Sequence, residues 1–124
     1  MKPDEDTVRI RQILSAFPEA DAIDHDPHTA FKVRGKNYAW HTVNEHGDGR
    51  VALIVKMVRG ENEALVASDA TRYFLPKYVA KSGYVGVYLD LGAIDWDEIE
   101  ELAVDAYLLS APKTLARRVE AERG

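Results

Sequence analysis

Cations and aromatic rings recur together in two places along this chain. Lys32, Arg34 and Lys36 occupy alternate positions, and Arg72, Lys77 and Lys81 are interleaved with Tyr73, Tyr78 and Tyr84. Lysine and arginine neutralise phosphates, and aromatic rings stack on unpaired bases, so the chemistry such a set could do is nucleic-acid binding. From Ala70 onward there is no acid until Asp90. The competing reading is plainer: the tyrosines are core, and the lysines keep a loop soluble.

A second set is the histidines. Asp24, His25, Asp26 and His28 crowd a polar stretch and invite a metal hypothesis. Successive side chains of an extended segment point to opposite faces, so His25 and Asp26 cannot both face one ion. No metal site and no cofactor is expected. An alternative to nucleic-acid binding is a small-molecule or protein-binding pocket lined by Trp40, Tyr78 and Tyr84, with Lys81 or His28 holding an anion. A hydrolase or metal enzyme built on His25, His28, His41 and His46 ranks third. The absence of cysteine excludes disulfides, thiolate catalysis and cysteine-ligated metals. Gly47-Asp48-Gly49 precedes a strand-like run instead of a helix, so no phosphate loop is expected there. No G-x-S-x-G occurs. No catalytic residue is assigned, and the protein is read as a binding protein, not an enzyme.

The elements that must position these residues follow from periodicity. Ile10, Ile13, Leu14 and Phe17 mark one face of a helix over 5–17, with Asp4, Glu5 and Asp6 at its start and Pro18 at its end. Residues 21–28 read as a polar loop. Residues 29–34 and 38–43 alternate around Gly35-Lys36-Asn37, which predicts a β-hairpin with Lys32 and Arg34 on one side and Phe31 and Val33 on the other. Residues 50–58 are nearly all apolar at their centre and read as a central strand. Residues 61–68 predict a short helix with Ala64, Leu65 and Val66 partly buried. Residues 69–80 read as irregular. Residues 83–90 predict a strand, in which Gly86 marks a close approach or a bend. Asp95 and Glu98 form a capping-box variant for a helix over 95–110 with an acidic outer face. Residues 113–123 predict a short last helix. Hairpins among helices imply a two-layer α+β domain with an antiparallel sheet.

At 124 residues the chain is sized for a single domain, 1–124, able to bury its own core. Its net charge of −5 argues against a basic footprint over the whole surface. The charges come in blocks, however. Residues 28–59 carry six bases against two acids, whereas residues 85–111 carry seven acids and no base. A basic sheet face backed by an acidic helix is the arrangement this suggests. The polar, acidic first residues do not read as a signal peptide, and no apolar run suits a bilayer. A cytoplasmic location is expected, with no membrane partner and a monomer favoured.

The run P-K-Y-V-A-K-S-G-Y-V-G-V-Y-L-D, residues 76–90, resembles the P-x-Y-x-x-K-x-G-[WY]-V-x-V-x-L-D signature of the MmcQ/YjbR-like family. Residues 27–36 and 95–113 are family-like as well, so the similarity spans about residues 7–115. The resemblance implies an α-β-β-β-α-β-β-α order in two layers, a YjbR-like or secretion-chaperone-like arrangement, and it adds a strand near residues 72–75. It also implies a DNA-binding "double-wing" role. Carried over by position, that role points to His28, Lys36, Lys77, Lys81, Gly83 and Tyr84, the last standing where the family commonly has Trp. The expected function is weak, phosphate-dominated, non-specific DNA binding through Lys32, Arg34, Lys36, Arg72, Lys77, Lys81 and Tyr84. The acidic helix would be repelled from a groove, so no base reading is expected.

Overall fold

Asp4 starts the first helix by accepting a hydrogen bond from the Thr7 N–H (2.7 Å), which satisfies one of the free donors of the opening turn. In this computed structural model, which describes residues 4–123, that helix, α1, runs Glu5–Ser15. Ile10 and Leu14, one turn apart, are fully buried. The helix stops before Phe17, whose ring nonetheless packs inward and stacks on Tyr107 at 4.7 Å.

Ten elements follow one another: α1, then strands β1 (Ala20–His25), β2 (His28–Val33), β3 (Lys36–Val43) and β4 (Val51–Lys56), helix α2 (Glu61–Ser68), strands β5 (Tyr73–Phe74) and β6 (Tyr84–Tyr88), and helices α3 (Trp96–Ser110) and α4 (Lys113–Arg123). The strands make one antiparallel sheet in the order β1-β2-β3-β4-β6-β5. This is the expected α+β fold with one strand more than expected. Residues 20–25 are a strand, not a polar loop, paired with β2 through a turn at Asp26-Pro27. Ala20 and Ala22 pack against the core, while Asp21, Ile23 and His25 face the other way. At a sheet edge, two alanines suffice for the inward face, and so weak an apolar alternation does not register as a strand.

The hairpin of β2 and β3 closes through Arg34 and Gly35, both at positive φ (48° and 80°), the backbone that a two-residue turn of this hand demands. The pairing slips at Phe31/Lys32, where Tyr38 is the extra residue of a bulge. The slip lets Tyr38 and Ala39 both enter the core. The Tyr38 hydroxyl donates to the Leu14 carbonyl, tying the bulge to the end of α1.

β4 lies at the sheet's centre, between β3 and β6, as its apolar run anticipates. Its Leu53 and Val55 face the same layer as Phe31, Val33, Val85, Val87 and Tyr73, and that layer is closed by Ile99, Ala103, Ala106 and Tyr107 of α3 and by Leu115 and Val119 of α4. The helices α1, α3 and α4 thus cover one face of the sheet. The α3 N-terminus is capped by Asp95, which accepts from the Glu98 N–H. In α2, Asn62 is the buried residue, donating from its amide to the carbonyls of Ala80 and Tyr84, whereas Ala64 is exposed. An amide that bridges a turn carbonyl and a strand carbonyl can hold a short helix that has little apolar face of its own.

By alternation, the other face of the sheet presents Ala30, Trp40, Ala52, Ile54, Tyr84 and Phe74. Of these, Ala30, Ala52, Ile54 and Tyr84 are buried yet stand outside the main core cluster. Gly86 sits among them: a Cβ there would come within 2.1 Å of the Phe74 ring. The close approach expected from a glycine in this strand is therefore that of an aromatic side chain. β5, the strand that only the family resemblance suggests, is two residues long and supplies that ring.

Candidate nucleic-acid interface

The two cationic stretches do not survive as drawn. Arg34 forks onto Glu19 at the turn, with Nε and Nη2 donating at 2.9 and 2.8 Å to the two carboxylate oxygens. This contact holds the Glu19 carboxyl below its ordinary range. Arg72 donates to Glu98 of α3 (2.9 Å) and lies over the Tyr73 ring at 5.2 Å. Glu98 also accepts from the Tyr73 hydroxyl at 2.6 Å, and burial with that carboxylate pushes the phenol up to about 12. Both arginines are thereby neutralised locally, by acids far off in sequence.

Lys32, Lys36, Lys77 and Lys81 have no ion-pair partner among the described residues, and neither does Lys56. Lys32 ends up on the helix-free face, with Asp21 directly across the β1–β2 ladder. Lys36 pairs in register with Val33, a core residue, so it leaves its strand on the side of Val33, opposite to Lys32. The turn at Arg34-Gly35 and the bulge break the alternation that would have set 32, 34 and 36 in one row. Lys56 closes β4 opposite Tyr84 and by alternation shares the face of Ile54 and Lys32. Lys81 stands in the short 3-10 turn Ala80–Ser82 that leads into Tyr84. In an antiparallel sheet, the end of β2, the start of β3, the end of β4 and the start of β6 coincide. Lys32, Lys36, Lys56 and Lys81 therefore gather at one end of the sheet.

Tyr84 is buried, its hydroxyl donating to the Asn37 carbonyl (2.9 Å) and its ring 5.0 Å from Trp40. It is a support of this end of the sheet, as the core reading holds, and it has no free edge for a ligand. Gly83 is backbone chemistry of another kind: its φ is 99°, and a Cβ would meet the Met57 carbonyl at 2.4 Å. Any other residue would push the lysine-bearing turn away from β4.

At the opposite end of the same face stand the histidines. The Val43 N–H donates to His28 Nδ1 (3.1 Å), and His28 Nε2 lies 3.0 Å from Glu45. Nδ1 thus accepts and Nε2 carries the proton, which spends both ring nitrogens. His46 Nε2 stands 3.1 Å from the other oxygen of Glu45, and its ring is 5.6 Å from Tyr78. His41 points to the helix side instead, so the four histidines do not converge. Among the described residues no three His, Asp or Glu side chains form a metal-holding group.

Two clefts on the surface of the described residues lie away from His28, Trp40 and Tyr78. One of 270 Å³ runs between α2 and α3, lined by Met57, Val58, Leu102 and Leu109, with Lys56 bordering it. Another lies between α3 and α4. Trp40 contacts Tyr84, whereas Tyr78 projects beside His46, so the three residues of the alternative pocket do not line a common cavity in the clefts described. Lys56 and Glu45 are the residues that sequence reasoning passed over. Period-two alternation from Leu53 and Val55 could have placed Lys56 on the open face; nothing local announces the meeting of Glu45 with His28.

A family model described as YjbR matches residues 15–109. Among solved structures, the crystal structure of Deinococcus radiodurans protein DR2400, with a DUF419 domain, is similar in fold: TM-score 0.71 at 19% identity, covering 92% of this chain and 87% of that one. No curated protein matches the chain significantly. No helix among the described residues is long and apolar enough to cross a membrane.

Proposed function

The chain belongs to the YjbR family, and on that premise we propose that it binds nucleic acid weakly and without reading sequence, through phosphates held at the lysine-bearing end of the helix-free sheet face. The observation that carries the reading is the gathering of Lys32, Lys56 and Lys81, none of them ion-paired among the described residues, where four strand ends coincide, with Lys36 at the same end but on the other side of the sheet. Lys77 lies in the β5–β6 loop, which carries the cationic surface from Lys81 toward the histidine end, where the neighbouring Tyr78 meets His46. Arg34 and Arg72 take no part, since carboxylates occupy their guanidinium groups. Exposed acids of α3, namely Asp97, Glu100, Glu101 and Asp105, lie in the other layer. A phosphate backbone is therefore steered to one side of the molecule.

The affinity is low for a stated reason. Asp21 beside Lys32, and Glu61 and Glu63 on the neighbouring α2, offset part of the positive field. Non-specific complexes of this kind have Kd values of roughly 10⁻⁴ to 10⁻⁶ M at physiological salt, and the weak end of that range is expected here. The protein acts as a binding module and not as an enzyme, working in the cytoplasm as a monomer. An amide NMR titration with a short duplex at low salt tests it. Shifts should centre on residues 32, 36, 56 and 77–84, fade as salt rises, and vanish in Lys56→Glu/Lys81→Glu. Shifts that persist in this variant, or none at all at low salt, would remove the reading.

A further inference from the structure

Among the described residues Tyr78 is the most exposed large side chain of apolar character, at 85%, while the next, Val58, is at 50%. Its backbone is held at φ 70°, a region that side-chain-bearing residues rarely occupy and bulky ones least of all. The cause is local. The Val79 N–H donates to the Lys77 carbonyl across it (2.9 Å), a three-residue γ-turn with a positive φ at its centre, which is the rare and strained form. The turn is braced by a second bond, from the Ala80 N–H to the Pro76 carbonyl (3.1 Å). The strain throws the phenol outward instead of into the aromatic layer formed by Phe74 and Tyr88. The His46 ring, tilted 60° at 5.6 Å, steadies one side. Lys77 and Lys81 flank it in sequence, and neither has an ion-pair partner among the described residues. A core reading explains Tyr73 and Tyr84, both buried with their hydroxyls hydrogen-bonded, but it does not reach Tyr78.

We infer that Tyr78 is a stacking platform for an unpaired nucleobase, with Lys77 and Lys81 holding the adjoining phosphates, so that the ligand class is single-stranded nucleic acid in preference to duplex. This rests on the nucleic-acid reading and specifies it. An exposed ring offers its face to any base, whereas in a duplex every base face but the terminal ones is already stacked. A rigid turn that presents the ring before the ligand arrives spares the cost of ordering it on binding. The discrimination is between strandedness and not among base sequences, since every base has a π-face.

The test uses two variants at the one position. Tyr78→Asn removes the ring but suits positive φ, so the thermal midpoint should not fall. Tyr78→Phe keeps the ring. Fluorescence anisotropy with oligothymidylate, oligouridylate and a duplex of equal length, at low salt, should show both single strands bound more tightly than the duplex. Tyr78→Asn should weaken both single strands about tenfold and leave the duplex unchanged, and Tyr78→Phe should restore them. The tighter of the two single strands names DNA or RNA as the natural source. In NMR spectra the Tyr78 ring protons should move upfield on stacking. If single strand and duplex bind alike and Tyr78→Asn alters neither, the platform is wrong and phosphate binding stands. If no nucleic acid binds at low salt, both readings fall together.

Discussion

His41 faces the helix layer from β3, 5% exposed, with its Nε2 unpartnered. Burial lowers its pKa, a shift that the nearby Asp4 carboxylate partly opposes. The folded protein therefore binds this proton less readily than the unfolded chain does. Where the unfolded imidazole is charged and the folded one is not, unfolding takes up a proton, so stability falls as pH falls. His41 contributes its full share above the ordinary imidazole pKa and loses it as pH drops toward the lowered folded value. Urea midpoints taken from about pH 8 down to pH 5 should decline, and His41→Leu should flatten that decline whatever it does to the absolute midpoint. An unchanged slope would place the acid sensitivity elsewhere. The sequence shows a histidine on a strand, but which face it takes depends on the registers of two neighbours. The same limit hides the fate of Arg34 and Arg72. Their partners, Glu19 and Glu98, lie 15 and 26 residues away, and no local pattern records such pairings.

β5 shows how little an element needs when its neighbours are shaped for it. Two residues long, it places Tyr73 in the core and Phe74 over Gly86, where the ring stacks on Tyr88 at 4.6 Å. Gly86→Ala would force the Phe74 ring off that site and should cost roughly 1–3 kcal/mol, as overpacking does. Phe74→Leu in the same chain should absorb much of the clash, since the crowded atoms are those of the ring. A double-mutant cycle on denaturation free energies checks this, and a coupling near zero would mean that the ring never covered the glycine. Periodicity reads long elements well, and α1, α3, β4 and β6 were legible from their own residues. It fails at both edges of the sheet for different reasons. β5 is too short to have a period, and β1 presents only Ala20 and Ala22 as its apolar side. The lysine end of the sheet was half-legible for a related reason. Alternation assigns Lys32 to the open face, but a turn and a bulge redirect Arg34 and Lys36.

Across the whole molecule, the unpaired lysines of the open sheet face and the outward acids of α3 lie in different layers, and this separates two ways in which a charge can act on a bound phosphate chain. Lysines at the sheet end are contact groups, each displacing a condensed counterion from the phosphate it neutralises. The outward acids of α3 act only through space, from beyond a helix whose own diameter is roughly 10 Å. That distance is already about one screening length at 0.1 M salt. Asp97→Asn/Glu100→Gln/Glu101→Gln should therefore raise single-strand affinity a few-fold at low salt, and the gain should disappear near physiological ionic strength. The slope of log K against log salt should stay nearly the same, because the number of neutralised phosphates is the same. Lys81→Gln should instead lower that slope by about 0.7, one phosphate contact on a single strand. Measuring both variants across a salt series distinguishes contact from field. If the α3 variant changed the slope as a contact residue does, nucleic acid would be touching the helix layer, and the binding surface would have to be redrawn around α3 instead of the open sheet face. If Lys81→Gln left the slope untouched, the lysine end would be a solvated rim whose cations serve solubility alone.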